Sequence, residues 1–83
     1  EMNDHQDSEN FSYTREWVEI EALLNEAERK QNMHLTSLRN SDLTKKQKMR
    51  HMRHYKGLEG VVNALRWVLG DLKMPRLKVL GDE

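Results

Sequence analysis

The side chains best placed to do chemistry lie in one run, KKQKMRHMRHYK at 45–56, where twelve residues carry six Lys or Arg and two His. Cations at this density attract phosphate backbones, because each phosphate neutralised releases condensed counterions. Lys45, Lys46, Lys48, Arg50, Arg53 and Lys56 are therefore the candidate nucleic-acid contacts, and Tyr55 offers a face on which a base can stack. The run lacks the pattern of a zinc finger, a bZIP region or an RRM, so the chemistry implied is affinity for a polyanion without strong reading of sequence. Two blander readings compete with it: a solvated basic face, and a surface that docks an acidic protein, including the acidic end of a second copy.

His51 and His54 stand three apart, on one face of a helix, and His34 can approach them from another segment. As a metal site the set is poor. Arg50 and Arg53 disfavour a cation, the run holds no carboxylate to complete a coordination shell, and neither HExxH nor ExxH occurs. No metal and no cofactor is expected. The role expected of the histidines is electrostatic: protonation beside a phosphate would strengthen binding as pH falls from about 7.5 to 6. Catalysis has no support either, since GxSxG, a phosphate-cradling glycine loop and a nucleophile with its base are all missing, and the chain has no cysteine. The expectation is a protein that is not an enzyme.

Charge is segregated along the chain. Residues 1–28 carry nine acids and one arginine, a net −8; residues 29–56 carry nine Lys or Arg against Asp42, a net +8; residues 57–83 balance at four each. With 83 residues the chain is one small domain, near the size at which a single core gives marginal stability and association often helps. An acidic N-terminus and the lack of an 18-residue apolar run argue against a secretory signal or a membrane span, which leaves an intracellular protein, cytoplasmic by default.

The elements that must position the basic run follow from periodicity. Gly57–Leu72 is the strongly apolar stretch: Leu58, Val62, Leu65, Leu69 and Leu72 recur at 4-3-4-3 spacing and Val61 and Val68 widen the face. Upstream, Trp17, Ile20, Leu24, Ala27, Gln31, His34 and Leu38 form a coiled-coil-like seam that turns polar in its second half, with Leu23 and Leu35 beside it. Thr14 is the expected N-cap of this first helix, with Tyr13 and Val18 as a staple and Ser12 as the competing cap. Asn40, Ser41 and Asp42 break the pattern, and Thr44 with Gln47 forms a capping box for the second helix. So short a connection favours antiparallel neighbours. Gly57, Gly60 and Ala64 lie close to one face, which implies close approach of another helix or a kink at Gly57. Helix two ends near 70–73, at Gly70 or before Pro75, and RLKVL at 76–80 then docks on the bundle or adds as an edge strand. No internal repeat is evident.

The expected architecture is all-α. An acidic disordered tail spans 1–12, a helical hairpin domain spans 13–73 with helices at about 14–39 and 44–70, and a C-terminal tail spans 74–83. Two hairpins are expected to associate into a dimeric four-helix bundle through the broad apolar face of Val61, Val62, Leu65, Val68 and Leu69, with Trp67 beside it. Function divides into two classes: a nucleic-acid-binding or regulatory protein that contacts DNA or RNA through the basic hairpin end, and an adaptor or inhibitor that captures a partner helix on the apolar face around Trp67.

Overall fold

The computed structural model of the chain describes residues 8–82. Of the expected acidic tail, 1–7 lie outside the described residues, and Ser8–Asn10 form a single 3₁₀ turn. Three helices follow, α1 (Trp17–Ser37), α2 (Lys45–Val68) and the short α3 (Arg76–Val79), and no strand forms among the described residues. The two long helices, of 21 and 24 residues, are about 31 and 36 Å long at ~1.5 Å per residue and pack against each other as a helical hairpin.

The local chemistry of each boundary accounts for its place. Thr44 begins α2 as its sequence suggests: its hydroxyl accepts from the Gln47 N–H at 3.1 Å, and Gln47 Oε1 accepts from the Thr44 N–H at 2.8 Å. The first helix begins later than the sequence pattern implies, with Glu16 rather than Thr14 or Ser12 as N-cap, and the Glu19 carboxylate accepts from the Glu16 N–H at 3.1 Å. Thr14 is otherwise engaged. Its N–H and C=O both bond the Ser12 hydroxyl across Tyr13, whose φ of 59° puts a sharp turn where the staple residue before the helix was expected.

Helix α2 closes in a Schellman motif. Leu69 is the C-cap, Gly70 follows at φ 86°, and the N–H groups of Gly70 and Asp71 bond the carbonyls of Trp67 and Arg66. The same device ends α3, where Gly81 at φ 78° and Asp82 bond back to Lys78 and Leu77. The same four residues, Val-Leu-Gly-Asp at 68–71 and 79–82, end both helices, a shared capping signal too short to mark a repeated structural unit. The 76–80 segment is helical rather than extended and packs on α2, with Met74 buried beneath the turn that leads into it.

The seam of α1 packs as spaced. Ala27 is buried and Ile20, Leu24, Gln31, His34 and Leu38 are half-buried, whereas Trp17 stays 64% exposed. From α2, Val62 is buried and His51, Tyr55, Leu58, Leu65 and Leu69 are half-buried. Met49 and Met52 remain exposed. Among the described residues only Ala27, Val62 and Met74 are buried apolar side chains, a small core for a chain of this length. The Cα radius of gyration of 16.0 Å is also well above the ~12 Å of a compact chain this long, as a single layer of two helices requires.

Gly57 and Gly60 do not end the helix, since α2 runs through both. Nor does anything in the chain approach them closely: a Cβ built on either meets no atom within 4 Å. Leu72, expected on the apolar face, is fully exposed beyond the helix end.

Candidate functional site

Because the Thr44 cap makes the basic run helical from Lys45 onward, its side chains sort by helical spacing. Lys46, Arg50 and Arg53 fall at intervals of four and three on one face and, with Met49, line an open hollow of about 260 Å³. Lys45, Lys48 and Lys56 fall on a second stripe, and Lys56 pairs with Glu59 at 3.4 Å. Among the described residues no carboxylate forms an ion pair with Lys45, Lys46, Lys48, Arg50 or Arg53. The first turn of α2 also carries no acid. Placing Lys45, Lys46 and Lys48 at the positive end of a helix dipole is locally unfavourable, by ~0.3 kcal/mol or more for each charge near the end.

The hairpin brings the three histidines together. His34 Nδ1 lies 2.9 Å from His51 Nδ1, and the His34 ring stacks on His54 with centroids 4.9 Å apart and planes 8° from parallel. Near-parallel rings direct their in-plane lone pairs along separate planes and do not converge on one ion. No group of three or more His, Cys, Asp or Glu among the described residues is arranged to hold a metal. Burial holds the His34 pKa below its ordinary value, and the neighbouring His54, His51 and Lys30 charges lower it further.

A second polar junction went unanticipated. Arg66 of α2 bonds the Glu28 carboxylate of α1 and reaches Asp71 at 3.4 Å, tying both helices to the turn after α2. The bond to Glu28 keeps Arg66 firmly charged, while the Lys73 N–H, and after it Arg66, lower the Asp71 pKa. The signal was present in the sequence: Arg66 follows Val62 by four and precedes Leu69 by three, so it sits on the packed face, where a charge needs a partner. The Arg15 and Glu19 side chains, four apart, also pair, at 3.8 Å.

The apolar candidates divide. Val62, Leu65 and Leu69 pack within the hairpin, but Val61, Trp67 and Val68 are 40%, 48% and 43% exposed. Trp17, Ile20 and Val68 border an open groove with the 10–15 segment, in which Phe11 meets Tyr13 edge-on at 5.7 Å. Trp67 with Arg76, Val79 and Leu80 lines a smaller recess of about 190 Å³ beside α3. The tryptophans thus lie near one end, Trp17 bordering the same groove as the residue after Trp67. No described helix is long and apolar enough to cross a membrane. Comparison with known protein families, with curated proteins and with solved structures finds no match to this chain.

Proposed function

We propose that the chain is a small non-enzymatic nucleic-acid-binding or regulatory protein, an antiparallel hairpin whose basic end contacts the phosphates of DNA or RNA. The observation that carries this reading is the set of five cations at the start of α2, three on one exposed face, with no carboxylate paired to them among the described residues. Such clustering at the positive end of a helix is unfavourable unless an anion joins it, and a phosphate backbone relieves both the mutual repulsion and the dipole conflict. Homodimerisation into a four-helix bundle complements this function. It would cover Val61, Trp67 and Val68 and set two basic ends at a fixed separation.

The test is a fluorescence-anisotropy titration of labelled duplex DNA and single-stranded RNA at two salt concentrations, with mass followed by light scattering. If Lys46, Arg50 and Arg53 each neutralise one duplex phosphate, affinity falls ~40-fold between about 50 and 200 mM salt, and ~150-fold with a fourth contact. Changing all three to Glu abolishes binding and leaves the far-UV circular dichroism unchanged. Binding that survives the triple change rejects this face.

A second reading, an adaptor that seats a partner helix, is favoured by the apolar recess beside Trp67. Under it Trp67→Ala weakens partner capture and leaves phosphate binding intact.

A further inference from the structure

Three histidines from two helices meet at the loop end of the hairpin, His34 and His51 half-buried and His54 exposed. At 2.9 Å the Nδ1 atoms of His34 and His51 share one hydrogen bond, so one ring donates its N–H and the other must offer a lone pair. That contact exists only while at least one ring is neutral. Two imidazolium rings would present N–H against N–H at the same spot, and His54, stacked on His34, would add a third charge within 4.9 Å of it.

We propose that His34, His51 and His54 form a proton-operated clasp between α1 and α2, closed while the rings are neutral and released when the cluster takes up protons.

The surroundings give the clasp its direction. From α1 the charged group acting on His34 is Lys30; from α2 they are His51 and His54, with Arg50 and Arg53 adjacent to them in sequence. No carboxylate among the described residues makes an ion pair with any of the three rings. Glu28, the last acid of α1, is engaged by Arg66, and the next acid in the chain is Asp42 in the loop. Among the described residues a proton arriving here therefore finds no ion-pair partner, and a second proton on the His34–His51 pair abolishes the shared hydrogen bond. The fold holds the His34 pKa down, chiefly by burial, so the unfolded chain binds protons more readily. Stability from this junction is complete above the ordinary histidine pKa of about 6.5 and is lost as pH falls below it. Among the described residues the ion-paired junction toward the other end, Glu28–Arg66–Asp71, contains no histidine. Acidification loosens the loop end first.

The proposal rests on the hairpin alone and is tested without nucleic acid. Thermal unfolding of the full chain is followed by far-UV circular dichroism at about pH 7.5 and 5.5, at one protein concentration, for the native protein and for His34→Gln, whose side chain keeps polar contacts but takes up no proton. In parallel, histidine ring resonances of the native protein are titrated by NMR, a readout that stands if the variant fails to fold. The native midpoint should fall by at least about 4 °C across this range, a shift readily resolved for a domain of this size. The variant should lose half or more of that fall, and the His34 ring should titrate below about 6.5. Equal falls in the two proteins, or a His34 ring that titrates at or above its ordinary value, overturn the proposal.

Discussion

Truncating Val62 and Val68 to alanine, one at a time, tests the hairpin core against the exposed face with the same chemical change. Val62 is 7% exposed in the contact with α1, and Val68, six residues on, is 43% exposed. Removing the two methyl groups of a buried valine costs ~1.6 kcal/mol in transfer free energy and rather more with the cavity left behind, so Val62→Ala is set at ~2 kcal/mol. Val68 has little more than half of its surface to lose, which puts Val68→Ala at ~1 kcal/mol for the chain alone. For a domain of this length the unfolding midpoint moves ~4 to 8 °C per kcal/mol, and total stability at ~0.05 kcal/mol per residue is ~4 kcal/mol, so Val62→Ala removes about half of it. Urea unfolding followed by circular dichroism, at two protein concentrations tenfold apart, supplies the measurement. Where a second copy covers the Val61–Trp67–Val68 face, the cost of Val68→Ala rises to that of Val62→Ala and the native midpoint moves with concentration. A cost for Val62→Ala below ~0.5 kcal/mol, the usual range of a surface substitution, would refute the placement of this valine in the core.

Gly60→Ala gives a sign test of the same face: with no atom within 4 Å of the added Cβ, the substitution stabilises an isolated hairpin by ~1 kcal/mol, whereas close approach by a second helix makes it destabilising in thermal unfolding. At Gly70, where φ is 86°, alanine should instead cost ~1 kcal/mol or more, read from the same melts. Arg66→Met breaks the junction to Glu28, but both side chains are more than a third exposed, so solvent screening limits the loss to ~1 kcal/mol or less by urea titration. Phosphate binding at the basic end should tighten as pH falls from about 7.5 to 6, because bound phosphates favour the protonated histidines; an affinity constant across that range, measured by anisotropy, removes them from the site.

The parts of this fold legible in the sequence are those set by local spacing or by one side chain closing on a nearby backbone group. Ile20, Leu24, Ala27, Gln31, His34 and Leu38 pack at the intervals that mark them as a seam, and the polar pair within it proves to include the ring that meets His51 and His54. The Thr44–Gln47 box and the Gly70 ending are equally local. Thr14 misled because a capping hydroxyl is as well suited to a tight turn, and Ser12 and Tyr13 supply the turn. Division of the apolar face of α2 was not legible for another reason. Val61, Val62, Leu65, Val68 and Leu69 extend around more of the helix than one neighbour can cover, and which of them meet α1 depends on the rotation of α2 about its axis. That rotation is fixed jointly by distant groups, among them the histidines at one end and Glu28 with Arg66 at the other. Arg66 is legible as a charge at a packed position, but its partner Glu28, 38 residues away, is not.

The same helix separates two kinds of surface, and this bears on how the two proposed contacts would coexist on so small a chain. Toward the loop, α2 presents Lys46, Arg50 and Arg53; beyond Gly60 it presents Val61, Trp67 and Val68. From Arg50 to Val68 is 18 residues, ~27 Å along the axis, about three Debye lengths at physiological ionic strength. A phosphate backbone bound at one end would thus be screened from a partner covering the other. Their responses to salt also differ in sign: added salt dissociates phosphates from lysine and arginine, while burial of valine and tryptophan is unaffected or, in sulfate, strengthened. The one element that both ends share is the packing of α1 on α2, clamped by Glu28 with Arg66 near the apolar end and by the histidines near the basic one. Under the proposed clasp, proton uptake at the histidines alters the geometry of the basic end, whereas the Glu28–Arg66 clamp contains no histidine.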